Sequence, residues 1–200
     1  MMVRAYEVKD GVICPDEWRT APERILWLLK EVNDPGHEMT DLSADLLELA
    51  RRSKVLDKDW RATYRPVAKV SHGLLQEWSE DPTAYVPALA RIAVMNVRSI
   101  GGDRTASHER IEVAFGERKA HLRAQVAACA PTIIIGGNTL WLDGWWPEAF
   151  VRTAPARETA PFAARALDGV VWVHASHPAN RRGDRRYFEK IRGGIAAART

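Results

Sequence analysis

Four short apolar runs stand out along the chain, and they predict buried β-strands. Each run is four or five residues long and continuously apolar. This pattern is typical of parallel strands that helices cover on both faces. The runs are residues 25–29, 92–95, 132–135 and 170–173.

The segments between these runs place apolar residues three or four positions apart, which indicates amphipathic helices. The predicted helices cover residues 41–52, 65–78, 117–130 and 185–198. Alternating strands and helices form βαβ units with right-handed crossovers. The expected fold class is therefore α/β: a three-layer α/β/α sandwich with a central, mostly parallel four-stranded sheet.

The composition is that of an ordinary globular domain. The chain has 200 residues, of which 46% are hydrophobic and 28% charged, and a chain of this size can bury a core without disulfides or a structural metal. We expect one domain over residues 1–200, with residues 1–20 as an N-terminal extension. No apolar stretch approaches the roughly 20 residues that span a bilayer, and charged residues interrupt any signal peptide.

The two cysteines, Cys14 and Cys129, are far apart in the sequence. This spacing argues against a disulfide framework, a zinc ribbon and a four-cysteine iron–sulfur cluster. Such sparse cysteine is typical of the reducing cytosol, so we expect a cytoplasmic protein. We also expect a monomer that makes no membrane contact.

Positive charge is concentrated near the C-terminus. The net charge is only +3, yet residues 177–192 contain six basic and two acidic residues. A local basic patch of this kind is an electrostatic footprint for a polyanion. A solvated helix face gives the same pattern and remains an alternative.

Polar residues follow all four predicted strands. In open parallel α/β sheets, ligands bind just beyond the carboxyl ends of the strands. These ends are rich in glycine, asparagine, histidine or carboxylate, so we expect them to form one functional site. They comprise residues 30–36, 96–102, 136–139 and 174–182.

Several common site signatures are missing from the sequence. It has no GxxxxGK[ST] phosphate loop, no GxGxxG after a strand and no GxSxG nucleophile elbow, which disfavours nucleoside triphosphate, dinucleotide and serine-hydrolase chemistry. His174 and His177 form an HxxH pair, but a metal site requires further ligands. We predict one structural and one functional histidine, with no metal and no cofactor.

The four strand ends together resemble the motifs of the uracil-DNA glycosylase superfamily. Residues 29–36 resemble its first motif, a strand followed by the loop that holds the water-activating residue. Met95-Asn96 resembles the strand ending in an asparagine that reads the uracil edge. Residues 133–137 resemble the third core strand with its glycine turn, and residues 177–182 resemble the His-Pro-Ser loop that supplies a catalytic histidine and enters the minor groove.

The chain departs from these motifs at three places. Lys30 or Glu31 stands where the first motif opens with glycine, and an extra Asp34 precedes the proline. Ala179 replaces the serine of the last motif. These departures leave the water-positioning residue and the base preference open.

The resemblance implies a catalytic set. Glu31, or as second choice Asn33, would position the water and favour the sugar cation, while His177 would stabilise the departing base anion. Asn96 would read the base, because its amide can accept from N3–H of uracil and donate to O4, a pattern that cytosine reverses. Val32 would lie beside the base.

The resemblance also implies DNA as the partner, double- or single-stranded, with a damaged base flipped out of the stack. The basic loop after His177 would contact phosphates and make binding depend on salt. The residues expected to touch DNA are Asn180, Arg181, Arg182, Arg185, Arg186, Arg98 and Ser99.

Three functions are open at this point. The leading one is a DNA glycosylase of base excision repair that acts on uracil or another deaminated base. We expect it to be monofunctional, because no lysine is clearly placed as an amine nucleophile. The altered first motif favours the second, a non-catalytic DNA- or lesion-binding protein of the same fold. The third is an N-glycosidase of free nucleosides, whose activity would be independent of the basic loop.

Overall fold

The computed structural model describes residues 8–33, 41–52, 54–102, 107–142, 162–180 and 183–200. One sheet contains all the named strands in these ranges, in the spatial order β1-β3-β2-β4-β6-β5. The strands are β1 (Gly11–Val12), β2 (Ile25–Asn33), β3 (Ala93–Gly102), β4 (Ile133–Gly137), β5 (Ala163–Leu167) and β6 (Val170–Ala175).

Six α-helices accompany the sheet in the described ranges, and two short 3₁₀ turns cover Val86–Arg91 and Pro178–Asn180. The helices are α1 (Pro15–Thr20), α2 (Leu42–Arg52), α3 (Lys58–Leu75), α4 (Pro82–Tyr85), α5 (His108–Cys129) and α6 (Asp184–Arg199). No helix in the described part of the chain is long and apolar enough to cross a bilayer.

The α/β class is confirmed, but within the described residues the sheet has six strands instead of the predicted four. The four apolar runs correspond to β2, β3, β4 and β6. Among these strands β2 pairs in parallel with β3 and β4, and β4 pairs in parallel with β6. The two additional strands, β1 and β5, pair antiparallel at the two edges and make the sheet mixed. Their sequences are too short or too polar on one face to stand out as apolar runs.

Two hydrophobic cores lie on the two faces of the sheet. Along β2, Trp27 and Leu29 pack into the core that α2, α3 and α6 cover. Leu26 and Leu28 pack into the second core, together with Phe115 of α5. This alternation follows from the pleat of a strand, and it explains why the central run has no polar position.

All four predicted helices differ from their predicted limits, although α2 differs only by beginning at Leu42 instead of residue 41. The helix predicted over residues 117–130 begins at His108, because Ser107 caps it by accepting a hydrogen bond from the backbone N–H of Arg110 at 3.2 Å. The helix predicted over residues 65–78 begins at Lys58 and continues through Pro66. The C-terminal helix is one residue longer than predicted at each end.

A partly buried ion cluster ties the start of α6 to α3. The Lys69 ammonium, 8% exposed, lies 3.1 Å from a carboxylate oxygen of Asp184 and also contacts Glu80. Arg65 adds a second contact to Asp184 at 3.4 Å. The first residue of α6 is thereby anchored to α3.

Candidate functional site

Among the parallel strands that the structure describes, the strand order reverses between β2 and β4. From β2 the chain passes to β3 on one side, then crosses back to β4 on the other side. In open α/β sheets, ligands bind in the crevice at the carboxyl ends of the strands at such a point. The carboxyl ends of β2 and β4 are therefore where a ligand is expected.

Glu31 lies near the carboxyl end of β2 and forms a buried ion pair. It stands opposite Arg98 in the parallel register of β2 and β3. Nη1 of Arg98 lies 2.7 Å from Oε2 of Glu31, and the two side chains are 20% and 4% exposed, respectively. Oε1 of Glu31 is buried and has no hydrogen-bond partner among the described residues.

Asn96 is fully buried within β3, which continues six residues beyond it. The prediction that the strand ends at this asparagine was wrong. The carboxylate oxygen Oδ2 of Asp10 accepts hydrogen bonds from the backbone N–H of Asn96 at 2.6 Å and from its Nδ2 at 3.3 Å. Burial, and in addition the negative charge of Asp10, raises the pKa of Tyr64 in α3.

The bond to Asp10 fixes which way the Asn96 amide points. An ionised carboxylate can only accept hydrogen bonds, so the amide atom facing Asp10 is the NH₂ group. Oδ1 of Asn96 is then directed elsewhere, and it is buried with no hydrogen-bond partner in the described structure. Glu31 and Asn96 thus each present one unengaged acceptor oxygen on neighbouring strands.

His177 follows β6 and is half-buried. Burial, together with the positive charge of Lys30, lowers its pKa to about 4. The imidazole is therefore neutral at pH 7. Its Nδ1 accepts a hydrogen bond from the backbone N–H of Ala179 at 3.2 Å, which leaves the proton on Nε2.

The loop that carries His177 packs on the end of β4. A Cβ built on Gly137 would lie 2.8 Å from Cδ2 of Leu29 and 3.0 Å from Cδ of Pro178. A larger residue would require Leu29 or Pro178 to shift, so glycine favours this approach, which brings Pro178 beside a residue two positions before Glu31. The positive charge of Lys30 also contributes to the lowered pKa of His177, as expected if the His177 loop lies near this end of β2. The structure thus brings His177 and Glu31 to the same end of the sheet.

His174 does not join this group. It lies inside β6 opposite Gly136 and Ala163, between two residues that pack into the α3-side core, so its side chain points to the other face of the sheet. Burial lowers its pKa to about 4. Among the described residues, no group of three His, Cys, Asp or Glu side chains could hold a metal ion.

The other predicted site residues are dispersed. The side chain of Val32 is buried in the α3-side core, and Ser99 is 3% exposed. Arg185 and Arg186 are exposed on α6, where Arg185 forms a 2.7 Å ion pair with Glu189. Outside the described part of the chain lie Arg181, Arg182 and the side chains of Asn33 and Asn180.

Sequence reasoning missed Asp10 and Lys30 as parts of this end of the sheet. Asp10 immediately precedes the short edge strand β1, and its partner is 86 residues away, so no local pattern points to it. Lys30 was noted only as a departure from a motif. A charged residue directly after a fully buried apolar run was the available signal, because such a charge requires a partner or a ligand.

An open groove of about 220 Å³ lies elsewhere, at the amino end of β4. It contains none of the predicted site residues. Its lining residues are Glu23, Gly73, Leu74, Ile133, Arg192, Ile195, Ala196 and Arg199.

The chain was compared with known proteins by sequence. No protein-family model matches it, and no curated protein matches it.

Proposed function

We propose that the chain is a DNA glycosylase that hydrolyses the N-glycosidic bond of uracil or another deaminated base flipped out of DNA. The observation that carries the proposal is the arrangement of Glu31. One carboxylate oxygen is held by Arg98, and the other is buried and unengaged within the described structure. This carboxylate stands at the end of the sheet where ligands bind in open α/β folds.

Glu31 suits the attack of water on the sugar. Its Oε1 accepts a hydrogen bond from the water, whose oxygen forms a bond to C1′ while the C1′–N bond breaks. The electron pair of that bond leaves with the base, and the proton of the water passes to Oε1. A negative carboxylate beside C1′ also stabilises the cation that develops on the sugar.

A neutral histidine suits the departing base. With Nδ1 occupied by the backbone N–H of Ala179, Nε2–H is the ring N–H that the neutral His177 has to donate. A donor aimed at the base oxygen stabilises the anion as it forms. Because the pKa of His177 is lowered to about 4, the ring needs no proton exchange with solvent at neutral pH.

The amide of Asn96 supplies a basis for choosing the base. Asp10 engages Nδ2, so the acceptor Oδ1 is available to a donor. Uracil, hypoxanthine and xanthine all carry a ring N–H that can donate, whereas the corresponding ring nitrogens of cytosine and adenine only accept. A buried mismatch of two acceptors costs about 1–3 kcal/mol for each unpaired group.

A panel of oligonucleotides tests the proposal. The full chain is incubated with single- and double-stranded DNA carrying uracil, hypoxanthine or xanthine, and abasic sites are revealed by alkaline cleavage. We expect base release that falls at least about a hundredfold in Glu31→Gln and in His177→Ala. Glu48→Gln, an exposed carboxylate on α2, serves as the matched control and should retain full activity.

The enclosure of Asn96 favours a second function. Its side chain is 0% exposed, so a flipped base reaches it only after neighbouring groups move. A DNA- or lesion-binding protein that does not cleave requires no such movement. Tight binding to the same oligonucleotides without base release would select this function, and a chain that neither binds nor cleaves would overturn both.

A further inference from the structure

Arg98 is anchored on two neighbouring strands. Its Nη1 donates to Oε2 of Glu31 at 2.7 Å and to the carbonyl oxygen of Ile100 at 3.2 Å. The first contact crosses from β3 to β2, and the second stays within β3. A planar guanidinium held at two points has little freedom to turn.

The pairing leaves Glu31 in an asymmetric state. Oε2 has a charged donor, whereas Oε1 is buried with no partner in the described structure. A buried acceptor without a donor is unfavourable, so the site favours a bound group that can donate. A water molecule is the smallest such group.

We propose that Arg98 is a positioning residue for Glu31, an inference that rests on the proposed glycosylase function. The guanidinium holds Oε2 so that Oε1 faces the water that attacks C1′. In that step the water oxygen bonds to C1′, the C1′–N bond breaks with its electron pair going to the base, and the water's proton passes to Oε1. Arg98 touches neither the sugar nor the base.

This role differs from the phosphate contact that the sequence predicts for Arg98. To reach a phosphate, the guanidinium would have to leave a carboxylate that is 4% exposed. Glu31 would then be a buried charge without its partner, which is strongly unfavourable. The exposed arginines of α6 reach a polyanion without that cost.

The test compares three variants with the wild-type chain. Arg98→Met removes the charge and keeps much of the volume, and Arg98→Lys restores a charge that can approach Oε2. Arg118→Met is the matched control. It removes another partly buried guanidinium, which donates to the carbonyl oxygens of Asn96 and Val97 in β3 at 3.2 and 3.1 Å.

We expect Arg98→Met to lower kcat for uracil release by up to about a hundredfold, with Arg98→Lys intermediate and Arg118→Met much less affected. KM and the affinity for abasic DNA should stay unchanged in Arg98→Met. In a Glu31→Gln background, Arg98→Met should lower kcat by no more than about twofold, because its effect acts through the carboxylate.

Two results would overturn the inference while the glycosylase function stands. One is a fall in kcat for the double variant of Arg98→Met and Glu31→Gln that equals the product of the falls in the two single variants. The other is a weaker affinity for DNA with a salt slope reduced by about 1, which marks a phosphate contact. A wild-type chain that releases no base would instead overturn the proposed function and this inference together.

Discussion

The carboxylate of Asp10 accepts two hydrogen bonds from a single residue, Asn96. One comes from the backbone N–H at 2.6 Å and the other from Nδ2 at 3.3 Å, across a sequence separation of 86 residues. Asn96 is completely buried, so water cannot replace this acceptor without opening the structure. The edge strand β1 is thus attached to β3 in two ways: by backbone pairing and by the side chain of Asp10, the residue just before it.

Replacing Asp10 by alanine should destabilise the fold. The variant leaves two buried N–H groups of Asn96 without their acceptor, at a cost of about 1–3 kcal/mol for each group. Urea unfolding followed by tryptophan fluorescence measures the loss. Asp16→Ala is the control, because the Asp16–Arg19 pair is exposed and should contribute less than about 1 kcal/mol. Equal stability of the two variants would contradict the assigned bonds.

Asp10→Asn should relax the choice of base if the chain is a glycosylase. The asparagine can still accept from the backbone N–H of Asn96, but it can also donate to Oδ1 and so permit the Asn96 amide to turn over. We expect the ratio of kcat/KM for uracil to that for cytosine to fall at least about fivefold. An unchanged ratio in an active variant would mean that Asp10 does not set the amide orientation.

Gly137→Ala should displace the His177 loop. The new Cβ would lie 2.8 Å from Leu29 and 3.0 Å from Pro178, so one of the two must shift. A displacement of about 1 Å near reacting groups can lower kcat up to about a hundredfold. Base release and thermal unfolding are measured together to separate the site from the fold.

Gly116→Ala is the control for that variant. Gly116 lies in α5 with nothing within 4 Å of its added Cβ, so alanine should stabilise the helix by about 0.5–1 kcal/mol and leave activity intact. If Gly137→Ala is also as stable and as active as the wild type, the position of the His177 loop does not depend on close packing of Pro178 against β4.

Stability should fall as the pH decreases from about 6.5 to about 4, partly through His177. Its pKa is lowered from 6.5 to about 4 in the folded chain, so the unfolded chain binds a proton in this window and the folded chain does not. Proton uptake on unfolding lowers the free energy of unfolding as the pH falls. Urea midpoints measured across this range should decrease less steeply for His177→Gln than for the wild type.

The stability of His177→Gln should still fall with decreasing pH, because burial also lowers the pKa of His174 to about 4. The pH dependence of base release should show no inflection near 6.5 in the wild type. An inflection there that disappears in His177→Gln would contradict the neutral state assigned to this ring.

The sequence predicts the centres of the parallel strands, because a strand buried on both faces must be apolar throughout. It does not predict their ends. Glu31 and Arg98 continue β2 and β3 beyond the apolar runs, since each charge has the other as its partner across the strand pair. That compensation depends on two segments far apart in sequence, and a local pattern contains no information about it.

The edge strand β5 illustrates a signal that was present and overlooked. Its sequence, residues 163–167, is rich in alanine, arginine and leucine, which are strong helix formers. The next two residues, Asp168 and Gly169, both have positive φ, at 49° and 79°. An Asp-Gly pair between two runs is the sequence preference of a tight hairpin turn, and it joins β5 to β6 in antiparallel register.

The position of β2 in the middle of the sheet has a consequence for synthesis. Its run Ile25–Leu29 is at most 1% exposed when folded, and one of its neighbours, β4, pairs Ile133 with Ile25. At about 5–20 residues per second, a ribosome needs roughly 5–20 s to make the intervening chain. Throughout that interval the most apolar segment of the protein lacks a strand to cover one of its edges. Slower aggregation at low expression temperature, or binding by a chaperone during this interval, should therefore raise the yield of folded protein.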